Sequence, residues 1–309
     1  MKIICGVFLF VSLLSSRTLS AQGCSDAGVC TIHSIKNNAE ANHSSEGRRN
    51  EIIIGFGFGK GENSTNNYSG YFEYTRNLTK KLYVSGRVNY AAINGELANT
   101  SGPGDLFFSI THTFNVKRKW QKSFTAGLKI PFNGADRMKN NIFLPMPYQT
   151  SLGTSDLLLA LNYNRKSVGA SIAFQQPLNS INQNKFLVSD YPPNHPAINY
   201  QSTNEFSRKA DLVGKMCYSF KTGERFSARP GLLIIYHTAN DTYLDENKSR
   251  RTINNSRGLT LNGIFFVDYR LKNRGGFELS FGTPFLTREQ RPDGLTRKFI
   301  TSLEYKFSF

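Results

Sequence analysis

The stretch 295–309, LTRKFITSLEYKFSF, constrains what this chain can fold into more than any other. Phe299, Thr301, Leu303, Tyr305, Phe307 and Phe309 occupy every second position. Between them lie Lys298, Ile300, Ser302, Glu304, Lys306 and Ser308, of which only Ile300 is apolar. Successive side chains of a β-strand point to opposite faces, so this is a strand with one apolar face and one charged face. Such a strand, finishing on an aromatic residue, fits the last strand of an outer-membrane barrel. It also fits the edge strand of a soluble β-sandwich. The rest of the chain decides between them.

Residues 1–23 read as a secretory signal. Lys2 is followed by the apolar run 3–14 and then by small and polar residues, and the run is too short to span a bilayer. Cys5 leaves with it. The AQGC around Cys24 resembles a lipoprotein box, and Cys24 and Cys30 are close enough for a small disulfide loop in an oxidising compartment. Cys24, Cys30 and His33 lack a recognised zinc spacing, so no metal or cofactor is expected. Residues 24–50 are polar and without period, a periplasmic leader or a plug, and 51–309 form the barrel domain.

From Glu51 onward alternation recurs. Ile52, Ile54, Phe56 and Phe58 alternate with Ile53, Gly55 and Gly57, and Phe124, Ala126, Leu128 and Ile130 with Thr125, Gly127 and Lys129. Leu261, Phe265, Val267, Tyr269 and Leu271 oppose Asn262, Asp268 and Arg270. The pattern predicts an all-β chain, an antiparallel transmembrane β-barrel of about 12 strands. Short connections (77–81, 116–121, 165–167, 221–224, 272–275) alternate with mostly longer ones (94–104, 133–153, 178–208, 241–257). That asymmetry matches periplasmic turns and outer loops, and places both termini in the periplasm of a Gram-negative cell. A negative mean hydropathy is compatible, because only alternate strand residues meet lipid. The 24 Phe and 14 Tyr suit aromatic girdles. Expected partners are outer-membrane lipid and lipopolysaccharide, and the barrel-assembly machinery reading the membrane face of Phe299, Leu303, Tyr305, Phe307 and Phe309.

The net charge of +16 raises nucleic acid as a partner. The basic residues are scattered through predicted turns, which excludes it. Charged residues on the inward faces carry more information: Glu73, Arg87, Lys129, Asp156, Asp211, Lys215, Arg229, Asp268, Arg270, Glu278, Lys298, Glu304 and Lys306. Opposite signs on neighbouring strands can pair into a closed, salt-bridged interior. Alternatively they line a pore, with Arg87, Lys129, Asp156, Lys215, Arg229, Asp268, Arg270 and Glu278 the candidates to meet a solute. Enzymatic chemistry finds no support: the chain lacks a G-x-S-x-G elbow, an H-E-x-x-H pair and a phosphate loop, and His112 would face outward.

Two segments echo one another. Gly104-Asp105-Leu106 precedes an aromatic-rich strand and then Gly127-Leu-Lys-Ile-Pro131, and Gly153-Thr-Ser-Asp156-Leu157 follows a long loop. This G-x-G-D-L, G-L-K-x-P, G-T-x-x-D-L pattern resembles the exported "meta-pathway of phenol degradation" family of outer-membrane transporters, loosely related to FadL-type channels. The resemblance implies passive uptake of small hydrophobic or aromatic molecules. Asp105 and Asp156 each open a strand in this reading, their carboxylates accepting backbone N–H groups of their own Gly-rich loops or else contacting solute. The apolar loops 141–152 and 178–208 would form a capture site, or fold into a closed cap over the mouth. The alternative function is a non-conducting barrel that is structural or docks a partner through its leader.

Overall fold

The computed structural model describes residues 50–61, 63–114, 120–272, 274–294 and 297–309. The signal, the leader, Cys24 and Cys30 lie outside the described residues. Twelve antiparallel strands close into a barrel. They are β1 Asn50–Gly61, β2 Asn66–Asn77, β3 Leu82–Asn94, β4 Asn99–Thr113, β5 Trp120–Pro131 and β6 Asp156–Arg165. There follow β7 Val168–Pro177, β8 Asp211–Tyr218, β9 Phe226–His237, β10 Gly258–Arg270, β11 Gly275–Leu286 and β12 Arg297–Ser308. Phe220–Thr222 continues β8 along β9. Every strand pairs with its neighbour in sequence, and β12 closes on β1 from Glu51 opposite Ser308 to Lys60 opposite Phe299. Closure leaves no unpaired edge, which a membrane-spanning sheet requires.

The alternation sets which side each residue meets. Ile54, Phe72, Ile110, Leu128, Leu232, Phe265, Leu279 and Leu303 stand exposed on the outside, while Glu73, Thr111, Lys129, Asn262, Glu278 and Glu304 are buried inside. Near the end that carries Asn50 and Phe309, Trp120, Tyr163, Tyr218, Tyr269 and Tyr305 belong to outward registers, as an interfacial girdle demands.

Connections at that end are tight and the three longest, 132–155, 178–210 and 238–257, lie at the other. These are called the turn end and the loop end below. One expected loop is not there. Residues 99–104 belong to β4, which leaves only 95–98 as the connection, and 62–65 is equally short. Gly102, Pro103 and Gly104 read as turn residues, yet they lie within β4, with Ala91 of β3 opposite Gly102 and Tyr90 opposite Pro103. A register shift between Val88 and Tyr90 absorbs the extra residue, a bulge being one of the few strand sites that tolerate proline.

Candidate functional site

The lumen is organised in layers. Toward the turn end, Asp268, Glu278 and Glu304 sit directly opposite one another on β10, β11 and β12. Three like charges in cross-strand register repel, so cations must be built in. Arg229 donates from Nε to Asp268 at 2.9 Å and from Nη2 to Asp268 at 3.0 Å and Glu278 at 2.5 Å. Lys306 Nζ donates to Glu278 at 2.8 Å, and the Tyr71 hydroxyl donates to Glu304. Arg229 and Lys215 also lie over the Phe266 ring, at 5.0 and 4.9 Å from its centroid. Two strands further round, on β2 and β3, Glu73 faces Arg87 in register, 3.7 Å apart, with the guanidinium 3.5 Å from the centroid of the same Tyr71.

The middle of the lumen departs from the expected polar interior. Phe107, Leu158, Val213, Leu233, Ile264 and Phe266 point inward and pack together as an apolar wall along β4 and β6 to β10. Polar groups flank it. Asn162 Oδ1, Asn164 Oδ1, Ser171 Oγ and both side-chain ends of Asn262 are buried without a hydrogen-bond partner in the protein.

Toward the loop end lies a second ionic layer. Lys129 and Asp156 oppose each other in register and pair at 3.0 Å. Asp156 also accepts from Thr154 Oγ1 at 2.8 Å and from Gln175, and Asp105 accepts from Ser151 while pairing with Lys129 at 3.7 Å. These donors are side chains of neighbouring strands and of the long loop, so the expected capping by backbone N–H groups is replaced by ion pairing. Nor does Asp105 open its strand: it lies inside β4, with six positions of the strand ahead of it, from Asn99 to Gly104. Asp156 does open β6. Gly153 takes a left-handed φ of 70°, and a Cβ there would meet the Gly134 backbone at 2.6 Å, so its role is to let two loop segments touch.

The layer continues into the loops. Arg208, just before β8, bonds Asp211 and lies 3.8 Å from Asp293 and 3.9 Å from Asp156. His237 holds two carboxylates, Asp211 through Nδ1 at 2.6 Å and Asp241 through Nε2 at 2.8 Å. Arg288 bonds Asp293, stands 3.6 Å from Asp241 and donates to the Ser256 carbonyl at 2.7 Å. Burial by itself would raise the Asp293 pKa, but the guanidiniums of Arg288 and Arg208 outweigh it and hold the carboxyl below its usual range. Burial would lower Arg208, and the carboxylates of Asp211, Asp293, Asp156 and Asp241 outweigh that and raise it. This clasp fastens three loops to the tops of β6, β8 and β9.

Above it the loops pack on one another as a cap. Ile93, Leu97, Leu144, Tyr148, Phe186 and Tyr200 form one buried cluster, and Ala135, Met146, Leu152, Phe206 and Ile253 another. Two buried asparagines fasten loop to loop: Asn184 Nδ2 donates to the Ala135 carbonyl at 2.8 Å, and Asn182 Nδ2 to that of Leu152 at 3.0 Å. The turn around Met146–Tyr148 crosses the mouth, since a Cβ on Gly294, in the loop diametrically opposite, would meet the Met146 backbone at 2.4 Å. Of the two loop outcomes the sequence left open, most apolar side chains take the cap; Ile142, Leu178, Ile181 and Ile198 remain exposed. Beneath the crossing segment lies a cavity of about 140 Å³ whose lining includes Asn67, Tyr71, Arg87, Asn89, Asp105 and Lys129.

Of the sequence-derived candidates, Arg87, Lys129, Asp156, Lys215, Arg229, Asp268 and Glu278 all face the lumen, in three separate groups. Arg270 sits half-buried at the rim of the turn end, and Lys298 is exposed near the loop end, so neither joins a layer. Arg208, Asp241, Arg288 and Asp293 were missed. Nothing in the sequence sets them apart from the other charges of polar loops such as 238–257 and 287–296.

Fold and lumen together define the class: a closed β-barrel of the outer-membrane type with a polar, partly capped interior. No protein-family model matches the chain, and no curated protein matches it. Among solved structures the chain is similar to the COG4313 outer membrane channel from Pseudomonas putida F1. The two are 13% identical with a TM-score of 0.61, over 87% of this chain and 98% of that one. The NanC porin gives 11% identity and a TM-score of 0.44 over 84% and 98%, and the KdgM porin 7% and 0.44 over 84% and 99%. At such identity the first likeness concerns the fold.

Proposed function

We propose that this chain is a channel of the Gram-negative outer membrane, passively carrying small solutes and capped at its loop end. One observation carries the reading: polar atoms of Asn162, Asn164, Ser171 and Asn262 face the lumen, buried and without a protein partner. A buried amide or hydroxyl left bare costs about 1–3 kcal/mol, so these positions call for water along the lumen wall. In this reading the tight turns and both termini face the periplasm, with lipopolysaccharide around the loop end, as short periplasmic turns and long outer loops do in such barrels. The alternating aromatic face ending in Phe309 is what the barrel-assembly machinery would read. The hydrophobic or aromatic solutes implied by the family resemblance would have to run along the Phe107–Leu158–Phe266 wall, because the apolar loops are largely engaged in the cap. The clasp also favours a second reading, a barrel closed at rest.

Refolded protein in planar bilayers tests both. Wild type is expected to give brief, infrequent steps, and Arg288→Ala, which takes one cation from both Asp241 and Asp293, longer and more frequent ones. A barrel that stays heat-modifiable on gels but conducts in neither form would overturn the channel and leave the non-conducting role.

A further inference from the structure

The cavity under the cap is built for one chemistry. Its volume, about 140 Å³, is close to the roughly 150 Å³ in which a single six-membered ring fits. Its cations are already matched: Arg87 lies 3.7 Å from Glu73, and Lys129 pairs with Asp156 at 3.0 Å and Asp105 at 3.7 Å. An anionic solute would therefore find no uncompensated positive charge. An apolar ring fares no better. Asn67 Oδ1 is buried without a hydrogen-bond partner, so a hydrocarbon face would leave it bare. The Asp105 carboxylate lines the same space and, with Ser151 donating to one oxygen, keeps lone pairs for further donors. The same cavity offers the Arg87 guanidinium and the Asn89 amide, whose Oδ1 accepts from Arg87 Nε at 2.9 Å. A ring that carries hydroxyls both donates and accepts around its whole rim, and brings no charge.

We infer that this cavity is a subsite for a neutral, hydroxyl-rich six-membered ring, a pyranose-sized sugar or polyol, with Asn67 and Asp105 accepting its hydroxyls. The inference rests on the channel reading and sets the class of solute within it.

The test is ion current through single channels in planar bilayers, with glucose added to both sides and benzoate or phenol as comparison. Glucose is expected to reduce the current saturably, while benzoate and phenol do not. Asn67→Leu, compared with its own sugar-free current, is expected to weaken the glucose block about tenfold, the value of one hydrogen bond to a buried acceptor. Refolding is checked by heat-modifiability, and Asp105→Asn provides a second variant with the same expectation. Current that falls only in proportion to viscosity, or block by phenol and not by glucose, overturns the sugar subsite and leaves the channel standing. Absence of any current from wild type and Arg288→Ala overturns the channel, and this inference with it.

Discussion

Asp268, Glu278 and Glu304 face one another in consecutive strands, and a single guanidinium holds two of them. Arg229 is itself buried, so its removal would strand carboxylates where water cannot reach them well. Breaking a buried ion pair from one side typically costs about 3–5 kcal/mol, more than the pair itself contributes. Arg229→Met keeps the volume and the contact with Phe266 and loses the charge. It is expected to destabilise the folded barrel by about that amount, read as a lower urea midpoint for loss of the heat-modifiable band. Adding Glu278→Gln removes one of the stranded charges, and the double variant should recover part of the loss. A single variant as stable as wild type would show that water, and not Arg229, neutralises the acids.

The strand pair β8–β9 is pulled together by a missing side chain. A Cβ on Gly231 would stand 2.5 Å from the Met216 carbonyl and 2.6 Å from Cys217 Sγ, and the carbonyl belongs to backbone that cannot give way cheaply. Gly231→Ala is therefore expected to cost about 1–3 kcal/mol, the range for an overpacked site. Gly214, across on β8, has only Ile234 Cβ at 4.0 Å before it, so Gly214→Ala serves as the tolerated control. Both can be compared by denaturant midpoint, following the fluorescence of Trp120, the one tryptophan. Equal midpoints would show that the two strands separate without cost.

Individual elements also show what a sequence can reveal of such a fold. The lipid-facing positions were legible because the bilayer demands an apolar residue at every second site. The pairs Glu73–Arg87 and Lys129–Asp156 were half legible: their inward faces could be read, and their partnership followed once adjacent strands were in register. The apolar wall was not legible, since Leu158 between Leu157 and Leu159 gives no period at all. Strand β4 was misread at its start because Gly-Pro-Gly signals a turn, and only pairing with β3 overrides it. The clasp lay furthest out of reach: Arg208, Asp241 and Asp293 are far apart in sequence and meet only because three loops fold over one mouth.

At the scale of the whole molecule, the clasp couples the cap to acidity. Asp293 faces Arg288 and Arg208, with His237 and Asp211 near, and its carboxyl titrates below the usual range. A carboxyl depressed in the folded state stabilises that state at pH values above the ordinary carboxylate pKa of about 4, and the contribution disappears as pH falls through the lower folded value. Arg208, raised by its carboxylates, keeps its proton throughout, and acid loosens the layer at Asp293. Protonating Asp293 leaves Arg208 and Arg288 close together with one carboxylate fewer between them, and the loop that carries Asp293 is the one meeting the Met146–Tyr148 turn across the mouth. Channel activity is therefore expected to rise as pH falls below about 4, relative to its level near pH 5, while strands held by backbone pairing persist. Asn at 293 cannot take a negative charge, so Asp293→Asn should show the acid level of activity already at neutral pH. A profile that stays flat to acid pH while the barrel remains heat-modifiable would mean that the cap is held by its apolar clusters around Tyr148 and Phe206, and that the ionic layer beneath it is a strut.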